Sequence, residues 1–222
     1  MREYYDLQLN DLNNQIVEMG GLVEKSVAYS AMTLVESDIE KIKKVSEYER
    51  AINRKEKEIE SLCVNLIMHN QPVAKDLRFI SAVLKLVTDL ERIGDHAEDI
   101  AEIARFISSQ EPQLDKSVFS EIAKTAVDMV NIGVDAFVKR DLRLARKVAE
   151  MDNTVDRLFV EIREKLVMGL KSGEYESAPA LDLFLATKYF ERIGDHAVNI
   201  AEWVIYSLTG KLENLDDYGI EE

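Results

Sequence analysis

Very little in this chain would interrupt a helix. Its three prolines, Pro72, Pro112 and Pro179, lie far apart, and nine glycines in 222 residues is below ordinary usage. One cysteine, Cys63, cannot close an internal disulfide, and its place among Ile59, Leu62 and Leu66 marks it as a small core hydrophobe rather than a redox group. No apolar run approaches the roughly 20 residues of a spanning helix, and the chain does not open on a charged segment followed by an apolar one. The expectation is a cytoplasmic protein without membrane insertion. Basic residues are also scarce: 28 Lys and Arg stand against 42 Asp and Glu, a net charge of −14, with no basic block to reverse it locally. That balance would repel a phosphate backbone, which argues against direct nucleic-acid binding, and suits divalent cations or a basic partner. Glycine-rich phosphate loops, nucleophile elbows and His-Glu-x-x-His sites are absent as well, so no enzymatic activity is expected.

What the chain does have is a duplication. Glu91-Arg-Ile-Gly-Asp-His-Ala97 recurs as Glu191-Arg-Ile-Gly-Asp-His-Ala197, and residues 90–102 match 190–202 at ten of thirteen positions. Asp38 to Glu47 aligns with Asp141 to Glu150 at a slightly larger offset, so more than one helix is repeated and the length difference falls between the two registers.

With 46% hydrophobic residues, enough apolar surface is available for a sizeable core, and it is spaced for helices. Leu12, Ile16, Met19, Val23 and Val27 make one stripe; Ile42, Val45, Ile52, Ile59, Leu62 and Leu66 a second; Val83, Leu86, Leu90, Ile93, Ala97, Ile100 and Ala104 a third. The spacing predicts helices over 4–36, 39–69 and 73–108, then 116–139, 142–170 and 178–208, with Asp38 and Asp141 as N-caps and Pro72 and Pro179 near first turns. The expected fold is all-α: two tandem, duplicated, antiparallel three-helix bundles over 1–110 and 115–210, joined at Glu111 to Asp115, with 211–222 a tail. One continuous six-helix bundle is the alternative.

At roughly 100° per residue, Glu91, Asp95, Asp99 and Glu102 fall within a wedge of about 80° opposite the third stripe, which predicts an outward acidic ridge. Glu191, Asp195, Asn199 and Glu202 repeat it. On the preceding helices, Glu49 and Asn53 correspond to Asp152 and Asp156. Carboxylates one turn apart repel by a few tenths of a kcal/mol per pair (~0.2–0.5), so a bound cation would relieve a conflict that helix stability alone does not explain. Against that stands the ordinary reading of a solvated acidic face. Gly94 and Gly194, each costing about 1 kcal/mol inside a helix, point to close helix approach. Arg92 and Arg192 could orient the carboxylates or make simple surface pairs. His96 and His196 point about 100° away from the aspartates and could ligate, hydrogen-bond or pack. His69 suits a helix C-terminus.

These residues resemble the PhoU family, whose signature joins Gln-Pro-x-Ala-x-Asp-Leu-Arg, here Gln71 to Arg78, to the Glu-Arg-Ile-Gly-Asp segments at Glu91 and Glu191. The resemblance spans almost the whole chain. It implies surface centres for multinuclear transition-metal clusters, iron foremost, with zinc, manganese or nickel as alternatives. Their motifs are Glu91/Asp95, Glu191/Asp195 and Asp152/Asp156, with Glu49/Asn53 departing through its amide and Asp95/Asp99 not matched by Asp195/Asn199. It further implies negative regulation of phosphate uptake and phosphate-starvation genes, between a phosphate ABC transporter ATPase and a sensor histidine kinase. A homodimer, peripheral at the inner membrane face through its partners, is expected. Two rivals remain: a ferritin-like carboxylate-bridged di-iron enzyme, which lacks the required Glu-x-x-His pairs, and a metal-independent helical adaptor.

Overall fold

The computed structural model of the protein describes residues 2–36, 38–107 and 116–215. Its elements are six helices: α1 Arg2–Glu36, α2 Ile39–Asn70, α3 Lys75–Ile107, α4 Lys116–Lys139, α5 Leu142–Ser172 and α6 Ser177–Thr209. Among the described residues there is no strand, and no helix is long and apolar enough to cross a membrane. Residue 108 and the junction at Glu111 to Asp115 lie outside the described residues.

The ends of the helices follow local chemistry. Asp38 accepts a hydrogen bond from the Glu40 N–H at 2.9 Å and Asp141 one from the Arg143 N–H at 2.8 Å, the expected N-caps for α2 and α5. Gly173 and Gly210 close α5 and α6 in the left-handed region, with φ of +76° and +79°. Pro179 lies in the first turn of α6, but Pro72 does not lie in α3. That helix starts at Lys75 rather than 73, because Gln71 and Ala74 both take φ of 46° and the chain turns around the proline before winding up.

All three apolar stripes point inward. Every residue of the first stripe is buried, as is every residue of the third, and of the second only Leu62 is partly open. Cys63 is buried too, and burial pushes its thiol up to about 12, so it is inert at neutral pH. Within each half the three helices pack pairwise against one another. The halves are not separate bodies, however. The most extensive helix pairing in the molecule is α3 against α6, α1 also packs on α4, and one apolar cluster draws on all six helices.

The halves face each other about a local pseudo-twofold. His96 and His196, equivalent by the duplication, meet with ring centroids 5.5 Å apart, while His196 reaches Asp89 and His96 lies against Tyr189, an equivalent pair of contacts. Antiparallel α3 and α6 are thus each flanked on three sides, which corrects the expected outward acidic ridge at Glu91 and Glu191, while Glu102 and Asp195 stay exposed. Glu91 and Glu191 are only 17% and 15% exposed, tucked into the α2/α3 and α5/α6 grooves. A helix with three neighbours has too little free circumference to hold four acids in open water.

Gly94 and Gly194 bear out the close-approach reading. A Cβ at 94 would lie 2.9 Å from Ile52 Cδ1, and one at 194 would lie 2.9 Å from Asp152 Oδ1. Gly94→Leu should therefore destabilise the fold by about 1–3 kcal/mol, despite leucine's better helix propensity, because the branch must displace Ile52 in a filled core. Urea denaturation measures this, and an unchanged midpoint would mean that α2 and α3 are not in close contact there.

Candidate metal centres

In the second half, α5 and α6 enclose an open cavity of about 440 Å³ whose polar lining is Asp152, Asn153 and Asp156 from α5 and Glu191, Asp195 and Asn199 from α6. Glycine at 194 is what admits the Asp152 carboxylate against the α6 backbone. Two groups compete with any ion here. Lys188 pairs with both oxygens of Glu191 and lies 5.4 Å from the Phe159 ring centroid. Glu202, which shares the acidic register, accepts a hydrogen bond from the Leu215 N–H at 2.8 Å, and buried Leu215 lines the cavity. Sequence reasoning missed Asn153, although its i,i+3 spacing to Asp156 would put both on one face.

The first-half groove brings Glu49 and Asn53 of α2 towards Glu91 and Asp95 of α3. Burial first, then the neighbouring Glu98 and Asp95 carboxylates, hold Glu49 above the usual carboxylate range. Glu91 is raised by burial and then by Asp95. Asn53 donates Nδ2–H to Glu49, while its own Oδ1 is buried without a hydrogen-bond partner. Arg92 is more than half exposed, 3.1 Å from Asp95 and 3.6 Å from Glu91, an ordinary surface pair. Glu56, Glu60 and Glu98 extend this groove, and the sequence reading left them out. Glu56 is raised by burial, then by Glu91 and Glu60. The signal was available, since 49, 53, 56 and 60 continue one helical stripe. At the same register the second half has Phe159 and Arg163, so its groove is shorter and less acidic.

Asp99 and Asn199 belong partly to a different structure. Asp89, half-buried between α3 and α6, lies 2.9 Å from His196 Nδ1 and accepts from Asn199 Nδ2 at 3.2 Å and Trp203 Nε1 at 3.1 Å. Asp99 lies 3.6 Å from His96 Nδ1 and beside Tyr189, whose hydroxyl is held protonated by burial and then by Asp99. Burial and the facing His196 lower the His96 pKa. The two histidines thus line a polar seam between the halves, one step around the helix from the acid grooves. His69 is exposed in the last turn of α2, as its dipole role requires.

The donor set of both grooves is carboxylate and amide oxygen, which fits hard and borderline divalent cations. Among the described residues no three His, Cys, Asp or Glu side chains converge on a common ion position. The raised values of Glu49, Glu56 and Glu91 come from burial first and from the neighbouring carboxylates second.

The largest such shift is at Asp195, which is pushed from 3.8 up to about 6, by burial first and then by Glu191, although the residue as a whole is exposed. Water screening at so open a group keeps the energetic effect modest, and its direction is what matters. A carboxyl whose folded value exceeds its unfolded one stabilises the fold when protonated, and that contribution is lost as pH rises through 6. In ion-free protein, Asp195→Asn should therefore melt higher than the wild type near pH ~7.5, with the gap narrowing as pH falls through 6 and closing near the unfolded value of 3.8. A gap independent of pH would rule out a crowded Asp195.

Comparison with known proteins matches this architecture twice over. The PhoU domain family model covers residues 16–104 and again 119–204. The chain is 36% identical to the phosphate-specific transport system accessory protein PhoU homolog of Pseudomonas aeruginosa, over 94% of this chain and 86% of that one. It is also 36% identical to the homolog of Clostridium acetobutylicum, over 97% and 99% respectively. Its fold superposes on the crystal structure of PhoU from Pseudomonas aeruginosa with a TM-score of 0.88 at 36% identity, covering 93% of this chain and 100% of that one. For the phosphate transport system regulatory protein PhoU from Streptococcus pneumoniae the TM-score is 0.86 at 26% identity, over 95% and 99%. With two copies of the family's domain, full-length relatives and the same six-helix arrangement, the chain belongs to the PhoU family.

Proposed function

We propose that this protein is a metal-binding accessory regulator of phosphate uptake, restraining phosphate-starvation signalling between a phosphate ABC transporter ATPase and a sensor histidine kinase. The observation that carries the metal half of this reading is the repetition of an oxygen-lined groove in both halves, each holding half-buried acids whose charged form a cation would stabilise. In the first groove Glu49, Asn53, Glu91 and Asp95 would hold the ion. The unpartnered Asn53 Oδ1 supplies an acceptor with no protein donor. In the second groove the holders would be Asp152, Asp156, Glu191 and Asp195, with Lys188 released from Glu191 on binding. Asp99 and Asn199 contribute only at the rim, since the seam already engages them.

Iron is the first candidate and zinc, manganese or nickel the alternatives, all compatible with carboxylate and amide oxygen. A bound cation supplies charge neutralisation and ties α2 to α3 and α5 to α6, stiffening the surface offered to partners. The regulatory half rests on the relatives, which are named accessory proteins of phosphate-specific transport. The reading includes a homodimer held at the inner membrane face through its partners. A ferritin-like iron enzyme is disfavoured because the buried polar side chains among the described residues are Ser26, Ser30, Thr33 and Thr187, with no carboxylate, and the carboxylates lie in grooves between helices.

Protein purified without added metal should contain iron or a related ion by elemental analysis, and Asp95→Ala with Asp195→Ala should remove most of it. Unchanged metal content would take these aspartates out of the centres. Deleting the gene should derepress phosphate-responsive expression in phosphate-rich medium. Normal repression, with no transporter or kinase component recovered in a pull-down, would reject the regulatory role even if metal is bound.

A further inference from the structure

At the end of the molecule where α3 begins and α6 finishes, a second cavity of about 190 Å³ is lined by Lys75, Asp76 and Phe79 of α3, Arg140 of the α4–α5 turn, and Ser207 of α6. In a chain of net charge −14, two cations here outnumber one carboxylate. Neither Lys75 nor Arg140 makes an ion pair among the described residues, although Asp76 shares the same wall. A third cation is close by: Arg78 lies over Gly210, three residues beyond Ser207, so near that a Cβ there would come 1.9 Å from Nη1.

The setting of Arg140 is also costly. Its φ of 53° is left-handed, a conformation the α5 and α6 ends give to Gly173 and Gly210. Instead of glycine, this turn carries a guanidinium held 5.3 Å from the Phe79 ring centroid, and Phe79 is stacked on Phe137 at 5.2 Å. Gln71 and Ala74 also take left-handed backbone, so what sets Arg140 apart is that its strained turn places a guanidinium on a cavity wall.

The lining is specific about its ligand. Lys75 and Arg140 can only donate hydrogen bonds, while an ionised Asp76 can only accept. Ser207 spends its hydroxyl proton on the Val204 carbonyl at 2.8 Å, which leaves it an acceptor too. A fully deprotonated oxyanion would satisfy the cations and be repelled by the two acceptors. An oxyanion that keeps a proton satisfies both sets, and near neutral pH phosphate does so whereas sulfate does not.

We propose that this cavity binds a phosphate group that still carries a proton, as inorganic phosphate or as the monoanion of a phosphate monoester, which keeps its proton only below about pH 6. The site is separate from the acid grooves and does not depend on their occupancy.

Calorimetric titration of chelator-treated, full-length protein at about pH 6, where both phosphates keep a proton and sulfate does not, with inorganic phosphate, glycerol phosphate and sulfate tests this. Inorganic phosphate or the monoester should bind, the tighter of the two identifying the source, and sulfate at least about tenfold more weakly, a difference of about 1.4 kcal/mol. Lys75→Gln and Arg140→Gln should each weaken phosphate binding at least about tenfold while leaving helicity and melting intact. Lys75→Gln keeps the test decisive if the altered turn of Arg140→Gln unfolds. Asp76→Asn should bring sulfate binding up towards that of phosphate. Asp95→Ala with Asp195→Ala should bind phosphate as the wild type does, which separates this site from any anion carried on a metal in the grooves. Equal binding of sulfate and phosphate, no binding of either phosphate ligand at millimolar concentration, or an unchanged affinity in Lys75→Gln would overturn the proposal.

Discussion

The packing of α3 against α6 is the constraint on which the other features depend. Because these antiparallel helices meet along their length and each also carries two helices of its own half, most of their circumference is taken. The duplicated Glu-Arg-Ile-Gly-Asp-His segment lies at the centre of that contact, so its residues are sorted by angle. Isoleucines 93 and 193 enter the core, His96 and His196 meet on the pseudo-twofold, and the acids are forced into the grooves beside α2 and α5. Crowded carboxylates, a polar seam and close glycine contacts are consequences of one pairing.

The seam and the grooves are physically linked without sharing their principal groups. Asp89, His196, Asn199 and Trp203 form a hydrogen-bonded unit on one side of the axis, and Tyr189, His96 and Asp99 a related unit on the other. Asn199 also lines the second groove while donating to Asp89 of the seam. A cation entering that groove would therefore change the electrostatics of the contact that holds the two halves together, giving that centre a physical route to the global arrangement.

Duplication has not kept the halves equal. The first groove continues through Glu56 and Glu60, whereas the second has Phe159 and Arg163 at that register, a lysine on Glu191, and Leu215 of the tail at its edge. The first is thus more acidic and more open-ended; the second is partly neutralised and partly covered. The two centres would differ in affinity for the same ion, as oxygen sites do when charge count and rigidity differ.

Helical periodicity follows from the 3.6-residue turn, caps from the short polar side chains of Asp38 and Asp141, and the repeat from identity at a fixed offset. Six helices, their inward faces and the close approach at Gly94 and Gly194 are therefore legible in the residues alone. Local signals carry no information about which surfaces of different helices meet. The depth of Glu91 and Glu191, the capture of Asp99 and Asn199 by the seam, the joining of Glu56, Glu60 and Asn153 to the grooves, and the gathering of Lys75, Arg140 and Ser207 around one cavity are all decided by the tertiary structure. Each depends on side chains distant in sequence being brought within a few ångströms, and hydrophobic burial, which is non-directional, sets that arrangement for the molecule as a whole.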